Sequence, residues 1–276
     1  MLEILSVVAK RIKSVYAVPK DHMSFYSILR LRFMKQKDLN HYSIFGQKVD
    51  FPFHPYWFRH SYREIFEEEV YKFSSPNKKP YIIDCGSNIG LSLIYFSKKY
   101  PDARIISFEP DKNIFRILQK NVTAFKFSNY IEFKNQAVWT ENTTLDFFST
   151  GGMGGSVKTK TSEGREIMKV EAVRLKDMLN QNVDFLKIDI EGPEVQVIED
   201  CLPVLGNVAN MFIEYHCGIG EEQHLDKLLR MISDSGFRYY IRQAYENMTY
   251  PFIQKHGEYM DMQLNIFCFK SNTHMK

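Results

Sequence analysis

The sequence predicts an α/β protein with a doubly wound, mostly parallel sheet, preceded by an N-terminal helical and hairpin extension. Three observations predict it. From Tyr81 onward, short apolar runs alternate with stretches whose apolar residues recur at helical spacing, the pattern of βαβ units. The first run, Tyr81-Ile82-Ile83, is short and β-branched, and it passes through Asp84-Cys85-Gly86-Ser87-Asn88-Ile89-Gly90 into a helical stretch carrying Leu91, Ile94 and Tyr95. Polar residues also recur where the apolar runs stop, at Asp84, Glu109, Asp189, Glu191, Glu214 and His216. In a parallel sheet those positions share one edge, where ligands bind.

The 276 residues provide for one α/β domain over 80–272 and an extension over 1–79. A hydrophobic fraction of 44% and a charged fraction of 25% give ample core and an ordinary soluble surface. A net charge of +3 is too small to argue for a nucleic-acid partner. Cys85, Cys201, Cys217 and Cys268 lie far apart without metal-like spacing, so buried free thiols in a reducing compartment are expected. No stretch is apolar enough to span a bilayer and no secretory h-region opens the sequence, so a cytoplasmic location is expected.

The elements follow in order. Residues 1–37 hold two basic-apolar stretches, one around Lys10, Arg11 and Lys13 and one around Arg30, Arg32, Lys35 and Lys37. They read as a helical cap with solvated charges in preference to a membrane-surface contact, because Pro19 and Asp21 interrupt the stripe. A hairpin over 41–51 is expected to turn at Gly46-Gln47, and Ser61 with Glu64 has the capping-box spacing for a helix carrying Ile65, Phe66, Val70 and Phe73. Residues 74–80 read as a linker. Strands are expected at 81–83, 103–108, 130–138, 145–148, 169–173, 183–189, 209–214, 237–241 and 263–269, with helices at 91–100, 112–125, after Pro193 and at 221–235. The glycine-rich loop 151–156 lacks the Lys-Ser/Thr ending of a phosphate cradle and reads as a mobile flap.

The residues at the sheet edge suggest a nucleoside site. Gly86 and Gly90 let the backbone turn and approach a ligand closely. Asp84, inside the turn, is placed to orient backbone amides or receive a ligand ammonium. Glu109 stands about half a βαβ unit later, where a carboxylate accepts the two hydroxyls of an adenosine ribose, and its alternative is a helix cap before Asp111. The turn lacks a G-x-G-x-x-G fingerprint, so no pyrophosphate is accommodated.

Asp84-Cys85-Gly86-Ser87-Asn88-Ile89-Gly90, Phe108-Glu109-Pro110 and Leu186-Lys187-Ile188-Asp189-Ile190-Glu191-Gly192-Pro193-Glu194, in this order, resemble the signatures of the FkbM family of S-adenosylmethionine-dependent methyltransferases. Ala137-Val138 and Ile213-Glu214-Tyr215-His216 fit as well, and the resemblance covers about residues 81–269. It implies a Rossmann-like class I methyltransferase sheet of about seven strands, the last antiparallel. It also implies S-adenosyl-L-methionine as cofactor and O-methylation of a sugar, polysaccharide or small natural product. Under that resemblance Asp84, Gly86, Ser87, Asn88 and Gly90 hold the methionine end. Glu109 and Pro110 hold the ribose, Gln136 and Ala137 border the adenine, and Asp189 lies beside the methyl group. Cys85, Ser87 and Pro193 depart from the commoner residues without removing a polar ligand.

Methyl transfer to a hydroxyl needs in-line approach and benefits from a base, for which His216, Asp189 and Glu191 are the candidates. The alternative for His216 is a histidine packed at a strand end, and for Glu191 a cap on the helix after Pro193. A metal-free site is preferred over a divalent ion on Asp189, Glu191 and Glu214, although clustered carboxylates suit Mg²⁺. The rival reading is a non-catalytic module that binds S-adenosylmethionine or a partner. A nucleic-acid acceptor is disfavoured, because the basic charge is concentrated before residue 38 and no Asn-Pro-Pro-aromatic motif follows the fourth strand. Residues 1–79 and the loop 151–156 are expected to cover the substrate side.

Overall fold

The computed structural model describes residues 39–149, 166–253, 255–256 and 260–270, so the basic stretches before residue 38 and the loop 151–156 lie outside the described residues. The chain divides into two compact units, Met1–Lys72 and Phe73–Lys276.

In the first unit, β1 (Asn40–Ile44) and β2 (Gln47–Phe51) form an antiparallel hairpin in which Ile44 pairs with Gln47. The turn is Phe45-Gly46, one residue earlier than expected, and both residues have positive φ (47° and 78°). A two-residue hairpin needs that left-handed pair to match the twist of its strands, and Gly46 supplies the second position without strain. The helix α1 (Pro55–Tyr62) also differs from expectation. It opens at Pro55 with His54 as cap, the His54 Nδ1 accepting from the Tyr56 amide at 3.2 Å, so Ser61 lies inside the helix. Pro at the first helical position supplies the fitting φ and lacks a donor that would be orphaned there. A π-turn over Arg63–Glu67 follows directly and ends the helical run. Phe51 stacks on Phe58 (4.2 Å between centroids) and Tyr62 on Phe66 (4.9 Å), giving this unit an aromatic core.

In the second unit the elements run β3 (Tyr81–Cys85), α2 (Leu91–Lys99), β4 (Arg104–Phe108), α3 (Lys112–Thr123), β5 (Tyr130–Lys134), β6 (Ala137–Trp139), β7 (Thr143–Ser149) and β8 (Glu166–Arg174). They continue as β9 (Val183–Ile188), α4 (Glu194–Cys201), β10 (Val208–Gly218), α5 (Leu225–Asp234), β11 (Arg238–Gln243), β12 (Met248–Tyr250), β13 (Lys255–His256) and β14 (Met260–Phe269). Among the described residues seven strands form one sheet in the order β11-β14-β10-β9-β3-β4-β5. The β3, β4, β5, β9 and β10 strands are mutually parallel, while β14 runs antiparallel between β10 and β11. The doubly wound sheet with its last strand reversed is the predicted architecture. Strand order reverses at β3, between β4 and β9, and such a switch point opens a crevice at the carboxyl ends of the strands.

The central strands are buried on both faces, as their unbroken apolar runs require. Ile83, Leu186, Ile213, Val197, Ile198, Leu228 and Ile232 belong to one core cluster and are all wholly buried. Each such side chain contributes about 1.5–3 kcal/mol of hydrophobic stabilisation. The segment expected as a linker is anchored. The buried Asp184 carboxylate accepts from Ser75 Oγ (2.6 Å), Asn77 Nδ2 (2.8 Å) and the Tyr81 amide (2.8 Å).

Two strand boundaries move in ways that matter for the site. The single strand expected over 130–138 is two, broken at Asn135-Gln136, because Asn135 Nδ2 donates to the carbonyls of Glu109 (2.9 Å) and Pro110 (3.0 Å). The freed β6 joins a separate sheet in the order β6-β8-β7. Strand β10 pairs with β9 only as far as Ile213 opposite Ile188, then continues beside β14 to Gly218. Glu214, Tyr215 and His216 therefore lie within a strand that overhangs its neighbour, not beyond a strand end.

Candidate active site

The crevice at the switch point holds a cleft with about 690 Å³ of empty space, its open mouth included. Its wall carries the apolar Phe108, Pro110, Ile114, Ala137, Val138 and Phe147 together with the acidic Asp189 and Glu191. Gly86, Asn88, Glu109, Asp111, Gln136, Ser149, Ile190 and Pro193 complete it.

The turn after β3 is folded by its own backbone. The Gly86 and Ser87 amides both donate to the Phe108 carbonyl (3.0 and 2.9 Å), and Gly86, Asn88 and Gly90 all take positive φ (85°, 46° and 91°). The close approach that glycine permits here is to protein. A Cβ on Gly86 would stand 1.8 Å from the Asp189 carbonyl oxygen, and one on Gly90 would meet Val122 at 2.7 Å. Gly86 thus lets the β3 and β9 ends come together, and Gly90 seats α2 against α3.

Glu109 is buried, and its two oxygens each accept one backbone amide, from Asn88 (Oε2) and Asp111 (Oε1), both at 2.9 Å. Burial pushes its pKa up to about 8, an effect that those amides offset only in part. The cap of α3 is Asp111, which accepts from the amides of Asn113 and Ile114, so Glu109 is not a helix cap.

Asp84 is sealed inside. Register sets it beside Ser107 on β4 and Lys187 on β9. Its Oδ2 accepts from Ser92 Oγ at 2.5 Å and its Oδ1 pairs with Lys187 Nζ at 3.3 Å. Lys187 Nζ also donates to the Gly86 carbonyl (2.7 Å) and pairs with Asp189 Oδ2 (3.1 Å). The ammonium expected to meet Asp84 is therefore the protein's own. Ser87 is buried as well, its Oγ bonded to Ser107 Oγ at 2.9 Å.

Past β9, Glu191 (φ 61°) and Gly192 (φ 127°) turn the chain back. Glu194 holds that turn. Its carboxylate is wholly buried, accepts from the Gly192 amide at 2.9 Å and contacts His216 Nδ1 at 3.0 Å. The helix α4 has Pro193 at its cap position with no side-chain cap bond, so Glu191 does not cap it and its side chain borders the cleft. The overhang of β10 brings His216 Nε2 to 3.4 Å from Glu214 Oε1 and 3.5 Å from Glu191 Oε2. Burial works against charging His216, but Glu191 and Glu194 outweigh it and hold its pKa well above the ordinary value. Burial likewise pushes Glu191 up.

The residues predicted from the sequence thus fall into two groups. Gly86, Asn88, Glu109, Pro110, Gln136, Ala137, Asp189 and Glu191 line the cleft. Asp84, Ser87, Gly90 and His216 stand behind that wall and support it. Lys187 and Glu194 carry roles that sequence reasoning missed. For Lys187 the available signal was a single charge inside the apolar run Phe185-Leu186-Lys187-Ile188, which a buried strand tolerates only with a partner. All four cysteines are free and buried.

A doubly wound sheet with an acidic residue after its second strand, a glycine turn after its first and carboxylates at the switch point defines a nucleoside-binding α/β enzyme class. The sequence pattern described as the methyltransferase FkbM domain matches residues 84–239, more than half of the chain, and the chain belongs to that family. S-adenosylmethionine is the cofactor of this family, and the cleft offers it both apolar groups, Phe108 and Ala137 among them, and the carboxyl groups of Glu109 and Asp189. Methyltransferase sdnD of Sordaria araneosa is 27% identical over 172 residues, covering 50% of this chain and 66% of that protein. Methyltransferase 1 of Beauveria bassiana is 26% identical over 161 residues, covering 50% and 64%. The matched segments span just under two-thirds of either relative. Among solved structures, a methyltransferase FkbM from Methylobacillus flagellatus has 15% identity, a TM-score of 0.47 and coverage of 73% of this chain and 46% of that one. Among the described residues, no helix is long and apolar enough to cross a membrane.

Proposed function

We propose that residues 80–272 transfer the methyl group of S-adenosylmethionine to a hydroxyl of a sugar, a polysaccharide or a small natural product. The observation that carries this reading is the pair Asp189 and Glu191, both on the wall of a cleft that also carries Phe108, Pro110, Ile114 and Ala137. An acidic wall disfavours phosphate and carboxylate acceptors and suits a hydroxyl that must shed a proton.

The step balances simply. The acceptor oxygen forms a bond to the methyl carbon as the carbon–sulfur bond breaks, its electron pair stays on sulfur to give S-adenosylhomocysteine, and the hydroxyl proton passes to a carboxylate. Asp189 and Glu191 border the space where that proton is released. His216 stands behind them, so its part is to position Glu191 and Glu214. Glu109 would accept the ribose hydroxyls, Gln136 and Ala137 would border the base, and Gly86 and Asn88 would shape the methionine end.

Isothermal titration with S-adenosylmethionine and S-adenosylhomocysteine tests the cofactor site. A panel of glycans and hydroxylated natural products, read by mass for a gain of one methyl, then tests transfer. Cofactor binding with no product on any acceptor would favour a non-catalytic binding module. The four buried thiols favour a reducing, cytoplasmic setting.

A further inference from the structure

We propose that Asp189, Glu214 and His216, with Glu191 beside them, form a binding site for one divalent transition-metal cation of the Mn²⁺ or Zn²⁺ kind. Three features of the cluster support this reading.

The first is proximity across two strands. One carboxylate oxygen of Asp189, one of Glu214 and a ring nitrogen of His216 all lie within 4.8 Å of one another. Ligand atoms bound to one ion at about 2.1 Å stand roughly 3–4 Å apart, so a closing movement of about 1 Å converts the cluster into a coordination shell.

The second is the orientation of His216. Its side chain is 1% exposed, and Nε2 is buried without a hydrogen-bond partner. That nitrogen faces Glu214 and Glu191, whose oxygens at 3.4 and 3.5 Å are too far for good hydrogen bonds and well spread for ligands. The other ring nitrogen, Nδ1, lies 3.0 Å from Glu194 Oε1. Glu194 is itself buried and fixed by the Gly192 amide. Metal binding displaces any proton on Nε2; with the Nδ1 hydrogen donated to Glu194, the freed Nε2 lone pair then points into the carboxylates, the carboxylate–histidine arrangement that orients a metal ligand.

The third is charge. Asp84, Asp189, Glu191, Glu194 and Glu214 gather around two basic side chains, Lys187, which pairs with Asp84 and Asp189, and His216, whose ring faces Glu191, Glu194 and Glu214. A dication that takes the place of a proton on Nε2 adds one positive charge among these five carboxylates. One nitrogen with two or three oxygens suits Mn²⁺ or Zn²⁺ better than the all-oxygen shells of Mg²⁺ and Ca²⁺. The Asp189 and Glu214 side chains are 24% and 20% exposed, and Asp189 and Glu191 line the cleft, so an ion enters from the acceptor side and faces it. If methyl transfer to a hydroxyl is the reaction, the ion would bind that hydroxyl and ease loss of its proton. That last role rests on the proposed function. The binding site does not.

The test uses the full chain, stripped with EDTA and titrated with Mn²⁺ alone, the free ion being read by electron paramagnetic resonance. One Mn²⁺ per chain is expected, displaced by Zn²⁺. Glu214→Gln should abolish tight binding, and Glu194→Gln should weaken it by about 10- to 100-fold through loss of ring orientation. Since His216 variants are liable to misfold, the near-isosteric Glu214→Gln, checked for an unchanged melting temperature in EDTA, is the deciding variant. Absence of binding by either ion in folded wild-type protein overturns the proposal, as does equal binding by Glu214→Gln. Titrating S-adenosylhomocysteine into the same metal-free protein reads the cofactor site separately, so either idea can fail alone.

Discussion

Glu109 and the Asp189–Glu191 pair occupy the same edge of one sheet, border one cleft and carry the same chemical group, yet they are held differently. Glu109 is buried and held by two backbone amides, one on each oxygen. Asp189 and Glu191 are each about a quarter exposed and held by side chains, Lys187 for the first and His216 for the second. Backbone donors give one fixed geometry, suited to a ligand group that never changes. Side-chain partners on a mobile proton or ion can readjust, which suits the place where a reaction alters the charge.

The sharpest way to break this contrast is to damage the contact that joins its two halves. Gly86→Ala drives a Cβ into the Asp189 carbonyl and imposes a side chain at φ 85°, so the β3 and β9 ends must separate. A loss of about 3 kcal/mol or more is expected in a denaturant melt, with both cofactor and acceptor functions lost together. Gly46→Ala, where φ is 78° and a Cβ would meet nothing, isolates the strain alone and should cost only about 1–2 kcal/mol.

Next in size is the fixed side of the comparison. Glu109→Gln keeps the shape but loses the charged acceptor, so cofactor affinity should fall by about 10- to 100-fold in titration calorimetry. Turnover at saturating cofactor should change little.

The pH dependence of affinity sharpens the same point. With its pKa pushed up to about 8, Glu109 is mostly protonated in the free protein at pH 7, whereas the role proposed for it, accepting two ribose hydroxyls, requires the carboxylate. Cofactor binding therefore releases a proton, and affinity should rise by about tenfold per pH unit up to pH 8 and then level off. Glu109→Gln should flatten that profile. The sign for folding is opposite. A raised acid contributes stability that is complete below the unfolded value of 4.5 and is lost as pH rises through about 8, so the wild-type protein should weaken over that window more than Glu109→Gln does.

The smallest effect is expected away from both halves. Asp184→Asn replaces the carboxylate that anchors residues 75–81 and should cost about 1–2 kcal/mol in a thermal or urea melt. Cofactor affinity should be unchanged, and a change there would mean that the anchor sets the β3 turn.

What could be read in advance was what depends on neighbours in sequence. The alternation of apolar runs and helical spacing placed β3, β4, β9, β10 and β14 to within a few residues, because burial on both faces demands such runs. The acidic residues that follow them were visible for the same reason, and Glu109, Asp189 and Glu191 do line the cleft. The capping-box reading of Ser61 failed because Pro55 and His54 open the helix earlier, and a short helix has room for one start. The unbroken strand over 130–138 failed because Asn135 is drawn to the Glu109 and Pro110 carbonyls, partners more than twenty residues away.

By itself, then, the sequence determined the class of fold, the edge of the sheet that carries the site and the carboxylates that border it. These follow from periodicity and from local turns, which act over a few residues. Only the tertiary structure decided that Lys187 neutralises Asp84, that Gly86 yields to the Asp189 carbonyl and that Glu194 aims His216. Those assignments depend on register between strands distant in the chain, and in a buried site the cost of leaving one charge or amide unmatched selects the partner.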